Sequence, residues 1–342
     1  METSRGIVMD KYLTFDDIAL MPQYNNVPSR TEPTVETWLT KDIQVGIPLI
    51  PANMDTVIGE ELAEIILRNG SYPIFHRFTS LEQQFKWIEK FNGRVFISAG
   101  LGKLADTLIL LEGGAMGVCL DVAHGHSKEM LDTIENIKRA YPDAQVIAGN
   151  ICSTMAYQDL VNAGADAVKV GIGPGAACTT RIVTGFGAPQ FTAIRNIAQL
   201  ANKLRVPIIA DGGIRNSRDV VLALAAGAST IMMGKLFAIT EESAATKRTK
   251  SGSQKLEAKY RGQASADFQN EFYGGLKEKT VAEGTDFWAE VSGPAQALID
   301  ELMGGLRSGL TYGGARSIKE LQRKAEFVEV SSSYMLESNP RK

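Results

Sequence analysis

The sequence predicts an α/β protein, a (β/α)8 barrel with a flap after the eighth strand and a C-terminal helical tail. Two observations carry this prediction. Eight short apolar runs rich in Val, Ile and Ala alternate with segments of helical period. The unusual polar residues follow the carboxyl ends of these runs, where barrels place their catalytic groups. A chain of 342 residues accommodates a barrel of roughly 250 residues with additional segments.

The eight predicted strands are spaced regularly along the first two thirds of the chain. They are expected at residues 47–52, 72–76, 94–99, 116–122, 144–150, 165–171, 206–211 and 229–234. Helices are expected between them, where apolar residues recur every three or four positions, at 60–69, 81–91, 103–111, 128–140, 154–163, 189–204 and 216–225. Several of these segments end in glycine, a common stop signal of helices, as at Gly70, Gly164 and Gly227.

The chain changes character after the eighth strand. Residues 240–290 are polar and dotted with glycine, with little apolar periodicity, which is typical of a mobile flap over a site. A helical pattern returns from Gly293 to about Arg323. Because no interdomain linker is evident, residues 1–342 are predicted to form a single catalytic domain.

The charge balance argues against nucleic acid and membrane partners. The chain has 36 basic and 39 acidic residues, a formal net charge of −3, and no long run of one sign. Residues 1–5 lead into no apolar stretch resembling a signal peptide, and no run approaches the roughly 18 apolar residues of a membrane span. We therefore expect a soluble, cytoplasmic protein.

The cysteines and histidines do not form a metal-binding pattern. Cys119, Cys152 and Cys178 are an odd number without metal-ligand spacing, so a disulfide framework is not expected. His124 and His126 are two positions apart rather than the four that place zinc ligands on one helix face. At a strand end they act either as an acid and base or, more commonly, as hydrogen-bonded structural groups.

The most informative stretch is the cysteine loop, residues 171–181. It contains three glycines and a proline within five residues, then Cys178 beside Thr179 and Thr180. A cysteine is more often a small buried apolar residue than a nucleophile. A glycine-rich turn directly after an apolar strand favours the nucleophile, because it brings the backbone close to a ligand.

These motifs resemble the family of IMP dehydrogenases and GMP reductases, from about Leu13 to about Val330. The matching segments are residues 13–17, 51–55, 171–181, 209–214, 233–234 and 260–262. The cysteine loop with a downstream Asp-Gly-Gly is specific to that family. The resemblance implies a TIM barrel that binds GMP or IMP, uses a nicotinamide cofactor and assembles as a homotetramer.

Two features favour the reductase branch of the family. About 17 residues separate Arg77 from Arg94, which leaves no room for the CBS-type regulatory module that dehydrogenases usually carry there. The flap has Phe272-Tyr273-Gly274-Gly275 but no arginine between Arg261 and its end, whereas dehydrogenases place a water-activating Arg-Tyr pair there. The implied reaction is NADPH-dependent reductive deamination of GMP to IMP and ammonia. The alternatives are an NAD-dependent IMP dehydrogenase without the regulatory module and a purine-nucleotide-binding relative that has lost turnover.

The resemblance also implies catalytic roles. Cys178 would attack carbon 2 of the purine as a thiolate. Thr180 and Glu283 match the pair that handles protons at the departing amine, although a lone flap carboxylate such as Glu283 is often merely solvated.

The implied substrate contacts lie near the last two strands. Asp211 would accept hydrogen bonds from the ribose hydroxyls, although a helix N-cap would be found at the same place. The predicted set is Asp211, Gly212, Gly213, Gly234, Lys235, Tyr260, Arg261 and Gly262, with the glycine amides and Tyr260 directed to the 5′-phosphate. Two residues depart from the family, Ala176 in place of a serine and Lys235 in place of a small residue. The ammonium of Lys235 either replaces lost phosphate contacts or points into solvent.

The remaining implied contacts concern the cofactor and a cation. Asp121 and Asn150 match positions near the nicotinamide, and Arg77 is a candidate for the cofactor phosphates. Tyr312 would complete the cofactor site of a neighbouring subunit. Potassium is a further candidate ligand, held by backbone carbonyls of the turn that contains Gly173, Gly175 and Cys178.

Overall fold

A computed structural model describes residues 11–338, so the expectation about residues 1–5 lies outside it. Three short strands come first: β1 (Ile18–Leu20), β2 (Thr37–Trp38) and β3 (Gln44–Val45). Eight strands then form the main sheet: β4 (Leu49–Pro51), β5 (Ile74–Phe75), β6 (Phe96–Ala99), β7 (Gly117–Asp121), β8 (Gln145–Ile151), β9 (Ala167–Val170), β10 (Ile208–Asp211) and β11 (Thr230–Met233). All eight predicted strands are confirmed.

The main sheet curls into a nearly closed TIM barrel. Its strands pair in parallel in the order β4-β11-β10-β9-β8-β7-β6-β5. The last strand therefore pairs with the first, with Ile231 opposite Leu49 and Met233 opposite Pro51. Because the strands are parallel, their carboxyl ends meet at one rim of the barrel.

Helices alternate with these strands. They are α1 (Glu60–Arg68), α2 (Leu81–Lys90), α3 (Leu104–Glu112), α4 (Lys128–Ala140), α5 (Thr154–Asn162), α6 (Thr180–Thr184), α7 (Gln190–Leu204) and α8 (Ser217–Ala226). Serine side chains cap several N-termini, as Ser127 does by accepting the N–H of Met130. All seven predicted helices are confirmed, and α6 is an additional short helix that begins within the cysteine loop.

The flap, residues 240–290, contains more regular structure than its composition suggests. After a short helix α9 (Lys235–Ala238), the elements are β12 (Lys247–Thr249), β13 (Leu256–Arg261), α10 (Ala266–Tyr273) and β14 (Asp286–Glu290). The three strands form an antiparallel sheet in the order β12-β13-β14. Strand β13 alternates between charged and apolar residues, with Ala258 and Tyr260 buried and Glu257 and Lys259 less buried, but the pattern is short and stands within an otherwise polar segment.

The predicted tail contributes to the barrel. It comprises α11 (Ala295–Tyr312), α12 (Ile318–Lys324), β15 (Phe327–Glu329) and α13 (Tyr334–Glu337). Helix α11 packs against α8 and α1, in the place of the eighth helix of the ring. Glycine permits the close approach, since a Cβ at Gly305 would lie 2.2 Å from the Cβ of Ser217. Strand β15 pairs with β1 and ties the two ends of the described chain together.

Within residues 11–338, no helix combines the length and the apolar character that crossing a membrane requires.

Candidate active site

A cavity of about 520 Å³ opens at the carboxyl ends of the barrel strands. Residues that follow most of the strands line one side of it, and residues of the flap line the other. Of the predicted site residues, the structure brings these to the cavity: Cys178, Thr180, Glu283, Asp211, Gly212, Gly213, Gly234, Lys235, Tyr260, Gly262, Asp121, Asn150, Arg77 and Gly175.

A hydrogen-bonded chain joins the thiol of the cysteine loop to a flap carboxylate. The Sγ of Cys178 lies 3.3 Å from the Oγ1 of Thr180. The Thr180 hydroxyl in turn donates to Oε2 of Glu283 at 2.9 Å. Residues distant in sequence thus form one path along which a proton can move between the nucleophile and a carboxyl group.

Backbone contacts between the flap and the cysteine loop hold this path together. The N–H of Thr179 donates to the carbonyl of Glu283 at 3.0 Å, and that of Thr285 donates to the carbonyl of Ala177 at 2.9 Å. Glycine favours this close approach, because a Cβ at Gly262 or at Gly284 would lie 3.1 Å from the Ala177 oxygen, a tight contact. The position of Glu283 therefore depends on the docked flap.

The Arg181 side chain holds the cysteine loop in place through hydrogen bonds to backbone carbonyls. Its Nε donates to the carbonyl of Ile172 at 3.3 Å, and its Nη2 donates to the carbonyl of Ala188. A Cβ at Gly173 or at Gly187 would lie 2.5 Å or 2.8 Å from the Cγ of Arg181, and both glycines have a positive φ. The guanidinium thus fixes both ends of the segment that carries the thiol. The sequence placed Arg181 in the motif without assigning it a role.

The predicted potassium ligands lie on the same loop. The carbonyl of Gly175 accepts the N–H of Cys178 at 3.1 Å. Gly173 is adjacent to the Arg181 side chain, which by itself explains the need for glycine at this position. The potassium site stays a prediction.

Five polar side chains, which we call the barrel floor, lie at the strand ends opposite the flap: Asn53, Asp121, Asn150, Lys169 and Asp211. The Nζ of Lys169 is 2.5 Å from Oδ1 of Asp121 and 3.4 Å from Oδ2 of Asp211. The amide of Asn53 donates to Asp121 at 3.1 Å, and that of Asn150 donates to Asp211 at 2.8 Å. The two predicted carboxylates are thus joined through one buried cation.

Sequence reasoning missed Lys169. Burial lowers the pKa of its ammonium, but the carboxylates of Asp121 and Asp211 raise it by more, so the pKa lies above its ordinary value. The available signal was a single lysine inside the apolar run of β9, where its neighbours Val168 and Val170 are fully buried.

One end of the cavity is built from glycine backbone and a tyrosine hydroxyl. Gly212 and Gly213 have φ values of +89° and +82°, which favour glycine. A Cβ at Gly234 would lie 2.3 Å from the hydroxyl oxygen of Tyr260. Burial, aided by the Asp211 carboxylate, raises the pKa of Tyr260 above its ordinary value, so this hydroxyl keeps its proton and can donate.

The two residues that depart from the family both lie at the exposed edge of this end. Ala176 and Lys235 line the cavity and are solvent-exposed. The Nζ of Lys235 lies 5.7 Å from the ring centroid of Phe287, within cation–π range.

Arg261 and Tyr312 are not brought to the cavity. The Arg261 guanidinium is buried among carboxylates, with its Nε 3.0 Å from Asp55 and its Nη1 2.7 Å from Asp267 and in contact with Glu271. Tyr312 lies at the end of α11 with 61% of its surface exposed. Arg261 is therefore placed to attach the flap to the barrel rather than to contact a ligand.

The histidines also lie outside the cavity lining. His126 pairs with Asp159 at 2.8 Å, and His124 is exposed. Burial lowers the pKa of His76 to about 4, and its Nδ1 accepts the N–H of Phe78 at 3.2 Å. The contacts of His76 and His126 are those of structural groups.

A second cavity of about 420 Å³ adjoins the first one at Arg77, Phe78 and Tyr273. The guanidinium of Arg77 lies 4.5 Å above the Phe78 ring, and its Nε is buried without a hydrogen-bond partner among the described residues. The Phe78 ring packs against Phe268 of the flap at 4.5 Å between centroids. The flap therefore closes over a space that extends beyond the main cavity.

No group of three or more His, Cys, Asp or Glu side chains in residues 11–338 is arranged to hold a metal ion.

A family model described as "IMP dehydrogenase / GMP reductase domain" matches residues 12–341. The chain is 36% identical over 392 residues to the inosine-5'-monophosphate dehydrogenase of Borreliella burgdorferi, covering 96% of each chain. It is 41% identical over 465 residues to that of Halalkalibacterium halodurans, covering 96% of this chain and 95% of the relative.

Among solved structures, a GMP reductase variant from Trypanosoma brucei in complex with guanosine 5'-monophosphate superimposes with a TM-score of 0.90. The sequence identity is 26%, and 98% of each chain is covered.

Proposed function

Because the chain belongs to the family of IMP dehydrogenases and GMP reductases, we propose that it catalyses the NADPH-dependent reductive deamination of GMP to IMP and ammonia. The observation that carries the choice is the flap. Its described residues contribute no arginine to the cavity lining, and Arg261 is held by carboxylates. The flap residues that line the cavity are Tyr260, Gly262, Gln263, Ala264, Phe268, Gln269, Tyr273 and Glu283.

The absence of a flap guanidinium bears on the fate of a covalent intermediate. A dehydrogenase must hydrolyse its cysteine adduct, so it needs a group that activates water. A reductase must keep water away until hydride arrives, because hydrolysis would divert the adduct. The fully buried Phe268 and the neighbouring Phe78 ring are apolar surfaces suited to that exclusion.

In the proposed reaction the Cys178 thiolate forms a bond to carbon 2 of the guanine base. The Cys178-Thr180-Glu283 path then delivers a proton to the amino group, and the carbon–nitrogen bond breaks to release ammonia. NADPH supplies a hydride to carbon 2 when it is bound beside the adduct. The carbon–sulfur bond then breaks, the thiolate of Cys178 leaves with its electron pair, and IMP is released.

The barrel supplies the binding contacts in this proposal. Asp211 accepts hydrogen bonds from the ribose hydroxyls. The amides near Gly212, Gly213 and Gly234, with the hydroxyl of Tyr260, receive the 5′-phosphate. Lys235 lies at the exposed edge of this end, where its charge favours a dianion.

A dinucleotide fits the second half of the site. The main cavity and the second one meet at Arg77, Phe78 and Tyr273, and the unpartnered Nε of Arg77 at this junction is a donor for an anionic group. Asp121 and Asn150 would orient the nicotinamide.

We further propose that the chain acts as one catalytic domain without a CBS-type module, in a homotetramer where Tyr312 serves a neighbouring subunit.

IMP dehydrogenase is the second candidate, because the curated relatives at 36% and 41% identity carry that name. One assay separates the possibilities. Purified protein with GMP and NADPH should lose absorbance at about 340 nm, where the reduced nicotinamide absorbs. A gain of absorbance with IMP and NAD, and no loss with GMP, would overturn the proposal. Nucleotide binding without either change would indicate a relative that has lost turnover.

A further inference from the structure

The barrel floor is organised around a cation that the proposed chemistry does not use. Lys169 lies in β9, one residue before the end of the strand, and only 1% of its side chain is exposed. A buried ammonium is unfavourable unless nearby charges and hydrogen bonds compensate for its lost hydration. The partners of the Lys169 ammonium must therefore provide this compensation.

Those partners come from both sides of β9. Asp121 ends β7 and contacts the Lys169 Nζ at 2.5 Å, whereas Asp211 ends β10 and lies at 3.4 Å. The Oδ1 of Asn53 is a third contact at 3.5 Å. In residues 11–338 no other lysine or arginine pairs with either carboxylate.

The two carboxylates differ in how many of their oxygen atoms remain free to accept a hydrogen bond from a ligand. Both oxygens of Asp121 receive protein donors, from Lys169 and from Asn53. On Asp211, Lys169 and Asn150 both donate to Oδ2, and no donor among the described residues reaches Oδ1. Asp211 therefore presents one unoccupied oxygen at the cavity while its other oxygen is fixed.

We propose that Lys169 is a positioning residue that keeps Asp121 and Asp211 ionised and correctly oriented, so that a ribonucleotide and a nicotinamide can occupy adjoining parts of the cavity. This inference rests on the proposed function, because it takes a ribonucleotide as the ligand of Asp211. It does not depend on which reaction follows binding.

The remaining groups around Lys169 are neutral and leave it as the compensating charge. Burial raises the pKa of the Cys119 thiol to about 12, so Cys119 stays protonated. Tyr260, on the Asp211 side, keeps its phenolic proton because burial raises its pKa. Asn53 and the Met232 sulfur complete the surroundings of the ammonium.

Removal of this charge should make nucleotide binding depend on pH. In Lys169→Met the two carboxylates lose the cation that lies between them, and uptake of a proton by the pair would relieve the repulsion that remains. A protonated floor is a poorer acceptor for two ribose hydroxyls. Since such a proton is lost again at higher pH, the lost affinity should return as the pH increases.

The test is the affinity of the full chain for GMP and for IMP, measured by calorimetry from mildly acidic to mildly alkaline pH. We expect Lys169→Met to bind each nucleotide about 30-fold more weakly at neutral pH, a typical cost of breaking a buried charge pair, and to recover at higher pH. Lys169→Arg should restore most of the affinity, because guanidinium is also a permanent cation. In Lys169→Met/Asp121→Asn the pH dependence should shrink, because one of the two competing carboxylates is gone.

Lys138→Met is the matched control. Lys138 also pairs with a fully buried carboxylate, Asp166 at 2.7 Å, which Lys41 shares at 2.8 Å, and none of these three residues lines the cavity. This variant should lose stability and keep the wild-type pH profile of binding.

Three results would overturn the inference: equal loss of affinity at every pH, no loss in Lys169→Met, or the same pH-dependent loss in Lys138→Met. If Lys169→Met does not fold, Lys169→Gln, which keeps a polar side chain at this position but carries no charge, takes its place in the same comparison with Lys169→Arg and Lys138→Met. Wild-type protein that binds GMP but makes no IMP would refute the proposed reaction alone. Wild-type protein that binds neither nucleotide would refute both.

Discussion

The barrel floor and the flap face the same cavity but are held in place differently. The floor residues lie on or directly after paired strands and are joined through Lys169. The flap reaches the cavity through separate contacts, among them the backbone bonds to Ala177 and Thr179, the hydrogen bond from Gln263 to the carbonyl of Asn53, the Arg261–Asp55 ion pair and the Phe78–Phe268 packing. From this difference we expect the proposed binding groups to be preformed, whereas Glu283, the proposed proton donor, reaches the cavity only with the flap.

The largest expected effect tests whether chemistry depends on the cysteine loop while binding does not. Cys178→Ala should lower turnover of GMP by at least roughly 10³-fold, because no covalent adduct can form. Affinity for GMP should stay close to that of the wild type, since the floor and the glycine-rich end are unchanged. Steady-state rates with calorimetry check both parts, and a near wild-type rate would refute the covalent mechanism.

The next largest effect concerns Arg181, whose hydrogen bonds position the segment that carries the thiol. Arg181→Met removes the donors to the carbonyls of Ile172 and Ala188, so Cys178 should lose its fixed position. We expect kcat to fall by roughly 10²-fold, a typical cost of misplacing a reacting group, with little change in GMP affinity.

Gly187→Ala should produce the same pattern, because the new Cβ would displace the Arg181 side chain. The rate at which iodoacetamide alkylates Cys178 gives an independent readout of loop order. Unchanged kcat and alkylation in both variants would show that Arg181 does not organise the loop.

A smaller effect tests the attachment of the flap. Arg261→Met breaks the ion pair that joins the flap to Asp55, and burial already raises the pKa of that carboxyl. The unpaired Asp55 should then take up a proton and the flap should dock less often. We expect kcat and KM to change together, by roughly tenfold in kcat/KM.

Arg248→Met is its control, because Arg248 pairs with Glu257 within the flap and is half exposed. An exposed pair of this kind contributes little. Equal effects of the two variants would mean that the Arg261–Asp55 pair has no special part in docking.

The smallest expected effect is a change in the hydrogen exchange of the flap. Amide hydrogens of residues 240–290 should exchange a few-fold more slowly when GMP and NADP⁺ are bound, while those of β7 to β10 should change little. Mass spectrometry of the free and bound protein resolves the two regions. Equal protection of the flap in both states would contradict its role as a lid.

Sequence patterns predicted the barrel well because each strand is a short apolar run followed by a polar turn, and both signals are local. They also brought Cys178, Thr180 and Glu283 together, through the family resemblance. Lys169 was missed because its partners are 48 and 42 residues away along the chain. A single sequence gives no indication that they meet.

Arg261 shows a different limit of prediction from the sequence. It was grouped with the substrate contacts because it follows Tyr260 in a matching motif. Successive side chains of a strand point to opposite faces, and both residues lie in β13. Once Tyr260 faces the cavity, Arg261 must face away from it, toward Asp55 and Asp267.

Glu283→Gln tests most directly whether the floor binds the substrate while the flap supplies the proton. The amide keeps the shape of the side chain but cannot deliver a proton through Thr180, so release of ammonia from GMP should slow by roughly 10²–10⁴-fold. Hydride transfer does not involve ammonia. In rapid-mixing experiments, IMP and NADP⁺ should therefore still give a burst of NADPH limited by the amount of enzyme. Loss of that burst together with the forward rate would contradict the account, because Glu283 would then support the fold or the cofactor rather than the departing amine.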